Sequence, residues 1–332
     1  MAKPTMDDVA RRAGVSRALV SLVMRDSDKV SDRSRAAVLD AATALGYRPN
    51  LNARHLASKQ TRTLGLVIND LHNPYFAGVV DGVKAAADEF GYRLLLNSAF
   101  LSDRDEVAAL ETFIDFDVDG VILTGARISM GAIETVARSV PVVVASRPMG
   151  SKLVDTVNND DIAGARLVVE HLVELGHRHI VHVDGGRGAG ASQRRAGYTR
   201  AMEAAGLEPR MFRGAFTEAS GVDATRRVLA DRRPTTAVFA GNDMSALGAL
   251  DALDDAGRRV PDDISLVGYD NTFVAALRHV GLTTVDQGRD HIGRLAVEML
   301  IERIERGRIE ARHVTHPPTL IVRETTAPPP AG

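Results

Sequence analysis

Two groups of side chains in this 332-residue chain have the types and spacing to do chemistry. The first lies near the amino terminus, where Ser16, Arg17, Ala18 and Ser21 follow a Gly14-Val15 break. On the leading turn of a helix, such residues meet base edges in a DNA major groove. There Arg17 can grip guanine O6 and N7 with two hydrogen bonds, and Ala18 can touch a thymine methyl. Thr5, Ser31, Arg35 and Tyr47 suit phosphate and sugar contacts, which set register without reading sequence. The second group is dispersed over residues 69–287, each member at the end of a short apolar run. It includes Asn69, Tyr75, Phe76, Thr124, Ser146 and Arg194, and further along Asn242, Asp270 and Gln287. Aromatic rings cover the C–H faces of a sugar while Asn, Asp, Arg and Gln fix hydroxyls, so the chemistry is capture of a neutral polyhydroxyl ligand.

Different elements must position the two groups. Met6 to Ala13 reads as a helix capped by Thr5, and Ser16 caps a second helix running to about Met24. A third, roughly Asp32 to Leu45, follows Ser31, presents Ala36, Val38, Leu39, Ala42 and Leu45, and stops at Gly46. Three short helices with a tight glycine turn predict a helix-turn-helix head over residues 1–49. Asn50 then caps about two turns carrying Ala53, Arg54 and Leu56, within a hinge and linker over residues 50–61. So short a helix is unstable alone in water. It would order against a second copy or a DNA minor groove, with Leu56 as an apolar wedge; the alternative that its composition allows is a polar linker.

From Thr63 onward, short apolar runs (64–68, 93–96, 120–123, 140–145, 179–183, 237–240 and 264–269) alternate with amphipathic helical stretches. Alternation of this kind predicts parallel sheets with helices on both faces. About 260 residues is generous for one such sheet, so two lobes are expected, with ligand outside the carboxyl ends of the strands. The fold class is therefore a small all-α head followed by a two-lobed α/β core.

Charge and composition narrow the functions. Residues 1–62 carry 12 Lys/Arg against 6 Asp/Glu, and the remainder carries 29 against 37, a cationic head on an acidic body. There is no cysteine, which excludes disulfides and thiolate metal sites. No export signal opens the chain and no stretch is apolar enough to span a bilayer, so a cytoplasmic protein without a membrane partner is expected. Gly186, Gly188 and Ala191 satisfy the dinucleotide fingerprint, but the acidic residue about 20 positions on, Glu208, sits in a Glu-Pro turn. An effector-binding loop is preferred there, and no cofactor is expected. His177, His179 and His182 straddle a helix end and a strand start, so no metal site is expected.

The chain resembles the lactose-repressor (LacI/GalR) family of bacterial regulators. The resemblance rests on TMDDVARRAGVSRALVSLVMR and VSDRSRAAVLDAATALGYRPNLNARHLASK in the head. In the core it rests on NPYFAGVVDGV, LVELGHRHIVHVDGG, SQRRAGY, AGNDMSALGALDAL and VPDDISLVGYDN. It covers nearly the whole chain. It implies a homodimer on a pseudopalindromic double-stranded operator, with Leu56 in the minor groove. It also implies a periplasmic-binding-protein-like core that holds effector between its lobes. By motif position Arg194, Asn242, Asp270 and Gln287 would contact effector, and Phe76 would line the pocket. The core then runs over residues 62–326, with lobe 1 at about 62–159 and 287–319, lobe 2 at about 160–286 and 320–326, and a disordered tail at 327–332.

Two departures stand out. Leu22 replaces an arginine common in the recognition helix, and Ser146 stands where the family frequently has aspartate. The implied function is a repressor, not an enzyme, controlled by a sugar or nucleoside, with a purine-type corepressor also open. The other classes weighed are a solute-binding protein, which would need a signal sequence, and a nicotinamide-binding enzyme.

Overall fold

The computed structural model describes residues 4–24, 27–47 and 60–330. The chain divides into two compact units, Met1–Thr61 and Arg62–Gly332.

In the first unit, α1 (Met6–Ala13), α2 (Arg17–Met24) and α3 (Asp32–Leu45) close over Val9, Val20, Val23, Val38 and Ala42. Thr5 opens α1 through a reciprocal cap. The Asp8 amide donates to the Thr5 hydroxyl at 3.3 Å, and the Thr5 amide donates to the Asp8 carboxylate at 2.9 Å. Gly14 ends α1 at φ 67°, a conformation that side chains resist, and the chain turns there into α2. The inward stripe of α3 differs from expectation. Val38, Ala41 and Ala42 are buried and Leu45 is half-buried, whereas Ala36 and Leu39 are exposed. At about 100° per residue, positions 38, 41, 42 and 45 share one face, and 36 and 39 fall outside it.

The second unit begins with β1 (Thr63–Ile68), α4 (Pro74–Glu89), β2 (Arg93–Ser98), α5 (Asp103–Asp115), β3 (Gly120–Thr124), α6 (Met130–Ala137), β4 (Val142–Ala145) and β5 (Asp155–Asn159). A second lobe follows: α7 (Asp161–Glu174), β6 (Ile180–Val183), α8 (Ala191–Ala204), β7 (Arg210–Phe212), α9 (Glu218–Ala230), β8 (Ala237–Ala240), α10 (Asp243–Asp255), β9 (Ser265–Val267) and β10 (Thr284–Asp286). The chain returns with α11 (Arg289–Arg306) and β11 (His313–His316), then ends its regular structure with β12 (Thr319–Ile321). The first sheet has the order β11-β5-β4-β3-β1-β2 and the second β7-β6-β8-β9. All their pairings are parallel, while β10 and β12 pair antiparallel.

Each parallel sheet is covered on both faces. Leu64, Leu66 and Ile68 of β1 pack with Val79 and Val83 of α4 and Ile292 of α11, and Val67 packs with Leu110 and Phe113 of α5 and Ile133 of α6. In the second sheet, Ile180 joins Val168 and Tyr198 on one side while Val181 and Val183 join Val228 and Leu253 on the other. Burial on both faces explains why these strands read as unbroken apolar runs. The outer strands β2, β7 and β11 are partly exposed, and β5 is an inner exception, a polar DTVNN strand buried throughout. Its Asp155 is fully enclosed and accepts from Arg303 at 2.9 Å and from Arg308 at 2.6 Å.

The carboxyl-terminal tail corrects an expectation. Residues 327–330 were expected to be disordered, yet the Ala327 carbonyl accepts from Ser265 Oγ at 3.0 Å and lies 2.8 Å from His177 Nε2. The Ala327 amide donates to Ser265 Oγ at 3.1 Å. A proline-rich composition forbids helix but not docking by its carbonyls and remaining amides.

Candidate functional site

A cavity of about 190 Å³ opens where strands of both lobes end. Asn69 follows β1, Ser146 follows β4, Asn159 ends β5, and Asp270 and Gln287 follow β9 and β10. This is the crevice outside the carboxyl ends of parallel strands, where chain reversals leave room for a ligand.

Arg194, on the first turn of α8, is the centre of the polar array and is 4% exposed. Its Nε donates to Asp161 at 2.8 Å and its Nη1 to the Gly241 carbonyl at 2.6 Å. Nη1 also lies 3.8 Å from Asp270 Oδ1. The guanidinium stacks 3.7 Å from the Tyr269 ring centre and 5.0 Å from that of Phe216. Asp161 and Asp270 hold it charged against the pull of burial. Asp270 adopts φ 115° and receives a hydrogen bond from Gln287 Nε2. Burial pushes its carboxyl well above the ordinary 3.8, with the Arg194 charge opposing and the neighbouring Asp243 adding to the rise.

The opposite wall is softer. Tyr75 and Phe76 meet edge-on with ring centres 5.2 Å apart, and the Tyr75 hydroxyl shares a 2.6 Å hydrogen bond with Ser146. Asn69 Nδ2 donates to the Gly125 carbonyl at 2.9 Å, while its buried side-chain Oδ1 has no partner among the described residues. A cavity with aromatic faces, a fixed cation, carboxylates and an unsatisfied amide oxygen can hold a molecule that both donates and accepts hydrogen bonds.

Seven of the nine expected residues line this cavity: Asn69, Tyr75, Phe76, Ser146, Arg194, Asp270 and Gln287. Two do not. Thr124 ties strands together, its hydroxyl donating to the Val67 carbonyl at 2.9 Å. Asn242 is fully buried as the cap of α10 and accepts from the Ser245 amide at 2.9 Å. Asn242→Ala is accordingly expected to cost about 1 kcal/mol of stability through the lost cap, with ligand affinity unchanged, read by denaturant melts and calorimetry side by side. Sequence reasoning missed Asn159, Asp161 and Phe216. The polar run 158–161 at a strand–helix junction was a signal for the first two; Phe216, a lone aromatic in a loop, offered none.

The glycine motif at 186–191 has a packing cause. A Cβ on Gly188 would stand 2.3 Å from the Phe216 ring, and one on Gly190 (φ 80°) 2.5 Å from the Asp161 carboxylate. The histidines also have structural partners. His177 Nδ1 bonds with Thr236 Oγ1 at 2.9 Å, and His182 is buried against Phe239 with ring centres 4.5 Å apart. Among the described residues no group of three metal-ligating side chains occurs, and no helix is long and apolar enough to cross a membrane.

In the head, Ser16, Arg17 and Ala18 are exposed and Ser21 is half-buried. The Arg17 side chain is 69% exposed, its Nη1 lying 3.7 Å from Asp7. Thr5 and Ser31 are exposed but already accept from helix amides. Arg35 donates to the Ser27 carbonyl at 2.7 Å, and the Tyr47 ring belongs to the head core. Asn50, Ala53, Arg54 and Leu56 lie outside the described residues.

A helix-turn-helix head on a two-lobed α/β core with a polar cleft defines a ligand-responsive DNA-binding regulator. The family of bacterial regulatory proteins of lacI type matches residues 5–50, and the periplasmic binding protein-like domain matches residues 169–326. The chain is 36% identical to the HTH-type transcriptional repressor PurR of Erwinia tasmaniensis, over 97% of each chain. It is similar to the transcriptional regulator CelR in complex with cellobiose, with 34% identity, a TM-score of 0.73 and coverage of 97% of this chain and 99% of that one. It is also similar to the lac repressor dimer bound to operator and the anti-inducer ONPF, with 28% identity, a TM-score of 0.86 and coverage of 98% and 100%. The chain belongs to the lacI family of bacterial regulatory proteins, and it is a transcription regulator.

Proposed function

We propose that this regulator is a cytoplasmic, non-enzymatic repressor that binds a pseudopalindromic operator as a homodimer and is controlled by a polyhydroxyl effector in its cleft. The observation that carries the effector reading is the buried Arg194–Asp161–Asp270 array beside Phe76 and Phe216. The cellobiose complex of one similar regulator agrees with it. The contacts proposed are Asn69, Tyr75, Phe76, Ser146, Arg194, Asp270 and Gln287, joined by Asp161 and Phe216. The operator contacts proposed are Ser16, Arg17, Ala18 and Ser21 for bases and Thr5, Ser31, Arg35 and Tyr47 for backbone, with Asn50, Ala53, Arg54 and Leu56 in the hinge. The head is taken as residues 1–49, the hinge as 50–61 and the core from 62. Exposed Phe100, Phe116, Phe273 and Leu277 on the core suit burial against a second copy. Effector favours one arrangement of the lobes, and the hinge of the dimer follows.

The test is a thermal-shift screen of sugars on the full chain, with operator binding measured with and without each hit. A sugar that raises the melting temperature and changes operator affinity supports the reading; no response to any sugar removes it.

Asp270 adds a prediction with a definite sign. Ligand hydroxyls donating to its carboxylate favour the charged form, so binding releases protons wherever the free protein is partly protonated. Affinity is therefore expected to rise with pH up to the raised folded value of about 8 and to level off above it. Stability of the ligand-free protein should fall as pH rises from the ordinary 3.8 to that folded value, because the folded state holds the proton more tightly than the unfolded chain. Calorimetry of one sugar in two buffers of different ionisation heat, near neutral pH, reads the released protons directly. Identical apparent enthalpies in both buffers would count against the carboxylate contact.

A further inference from the structure

Beside the main cavity, and sharing Arg127, Arg187, Gly188 and Ala189 with its lining, lies a second recess of about 240 Å³. Its chemistry is different. Arg127 and Arg147 line it from the loops that follow β3 and β4 in the first lobe, and Arg187 lines it from the loop that follows β6 in the second. No Asp or Glu lines it. Gly190, Ser192 and Gln193 complete the wall with the first turn of α8, whose leading amides receive no side-chain cap.

Arg187 has no carboxylate partner, and the carboxylates that Arg127 and Arg147 face lie outside the recess. Arg127 Nε is 3.2 Å from Asp103, outside the recess, and the Arg127 amide donates to Glu106 at 2.9 Å. Arg147 is fixed by Nη1 alone, which donates to the carbonyls of Ala126 at 3.0 Å and Ile128 at 2.6 Å. Arg187 is exposed and makes no hydrogen bond or ion pair with any described residue. Three guanidiniums from two lobes thus share one recess with the start of a helix that has no side-chain cap. A recess lined by three guanidiniums and no carboxylate suits an anion with several acceptor oxygens. Guanidinium forks match phosphate oxygens in pairs, and helix amides bind the same group.

We infer that this recess receives the phosphate of a phosphorylated polyol whose hydroxylated body occupies the main cavity, so that the effector is a sugar phosphate. The inference rests on the polyol reading above and names its ligand class. It also supplies a closing force that a neutral sugar lacks. A dianion touched by Arg127 and Arg147 on one side, and by Arg187 and α8 on the other, draws the two lobes together.

The experiment uses the full chain and two probes. Inorganic phosphate, compared with sodium chloride of equal ionic strength, is expected to raise the melting temperature of the unaltered protein and not that of Arg187→Ala. A panel of hexoses is then titrated beside their phosphates. The phosphorylated member of the bound pair is expected to bind at least about tenfold tighter, a difference of about 1.4 kcal/mol. That ratio should fall towards one in both Arg147→Ala and Arg187→Ala. Arg147→Ala loses two carbonyl bonds, so Arg187→Ala, which loses none, keeps the test readable if the former folds poorly. A hexose bound equally well with and without phosphate, or a ratio unchanged in both variants, overturns the inference and leaves the polyol reading standing. Arg187-dependent binding of inorganic phosphate with no hexose bound in either form instead overturns the polyol reading.

Discussion

Asp270→Asn is expected to weaken the polyol effector about ten- to hundredfold while leaving ligand-free operator binding unchanged. A hydrogen bond to a charged group is worth about 1.5–3 kcal/mol, and about 1.4 kcal/mol is a factor of ten. The substitution is chosen to touch little else. Asparagine tolerates positive φ at least as well as aspartate, so the backbone at φ 115° need not move. The amide oxygen can still accept from Gln287, and Arg194 retains Asp161 and the Gly241 carbonyl. Removing a buried carboxylate whose ionised form is disfavoured should hold or raise the melting temperature near neutral pH. Calorimetry with the bound sugar and a gel-shift titration with operator read the two halves separately. Unchanged sugar affinity would remove Asp270 from the contact set. Arg194→Met is a poorer test: it leaves Asp161 buried without its cation, at a cost of about 3–5 kcal/mol, and misfolding would mask lost binding.

The fold was legible where hydrophobic periodicity and burial agree. Leu64–Ile68, Val142–Ala145 and Ala237–Ala240 are buried on both faces and read as unbroken apolar runs. β5 was not legible, because its Asp155 and Asn158 are buried by tertiary ion pairs and neighbouring strands, and nothing local marks DTVNN as a strand. The tail failed for a related reason. Proline content describes what a segment cannot form alone, whereas His177 and Ser265, far away in sequence, provide the bonds that hold Ala327. The stripe of α3 was misread at its edges, since Ala36 and Leu39 are apolar but lie outside the face set by Val38 and Ala42.

The cleft was legible to the extent that strand ends mark ligand sites. Asn69, Ser146, Asp270 and Gln287 all follow strands, and all line the cavity. Position alone did not separate a ligand contact from a structural role. Thr124 and Asn242 occupy equivalent places, yet their side chains satisfy backbone groups beside them, as short polar side chains at strand ends and helix starts often do. Arg127 and Arg187 were missed as a group because their convergence is a property of two lobes meeting, separated by about 60 residues of sequence.

Arg17→Ala is expected to produce the largest change of all, confined to DNA. A bidentate arginine–guanine contact contributes about 1–3 kcal/mol of discrimination. In the proposed dimer the loss occurs in both half-sites, so operator affinity should fall by about 2–6 kcal/mol, from roughly thirtyfold to roughly ten-thousandfold or more. Arg17 is placed to carry this because little holds it back. Its contact with Asp7 spans 3.7 Å between side chains that are both more than half exposed, and exposed pairs of this kind are worth about 0–1 kcal/mol. Leu22, one turn further along α2, packs against the head core and has no hydrogen-bonding group, so it cannot share the readout. Arg17→Lys separates charge from geometry: it keeps the cation but loses the fork, and should relax preference at one base pair of each half-site while retaining the salt dependence of the parent. The measurement is a gel-shift series over operator variants at two salt concentrations. A loss for Arg17→Ala that is uniform across all sequences, with a shallower salt slope, would reassign Arg17 to the phosphate backbone.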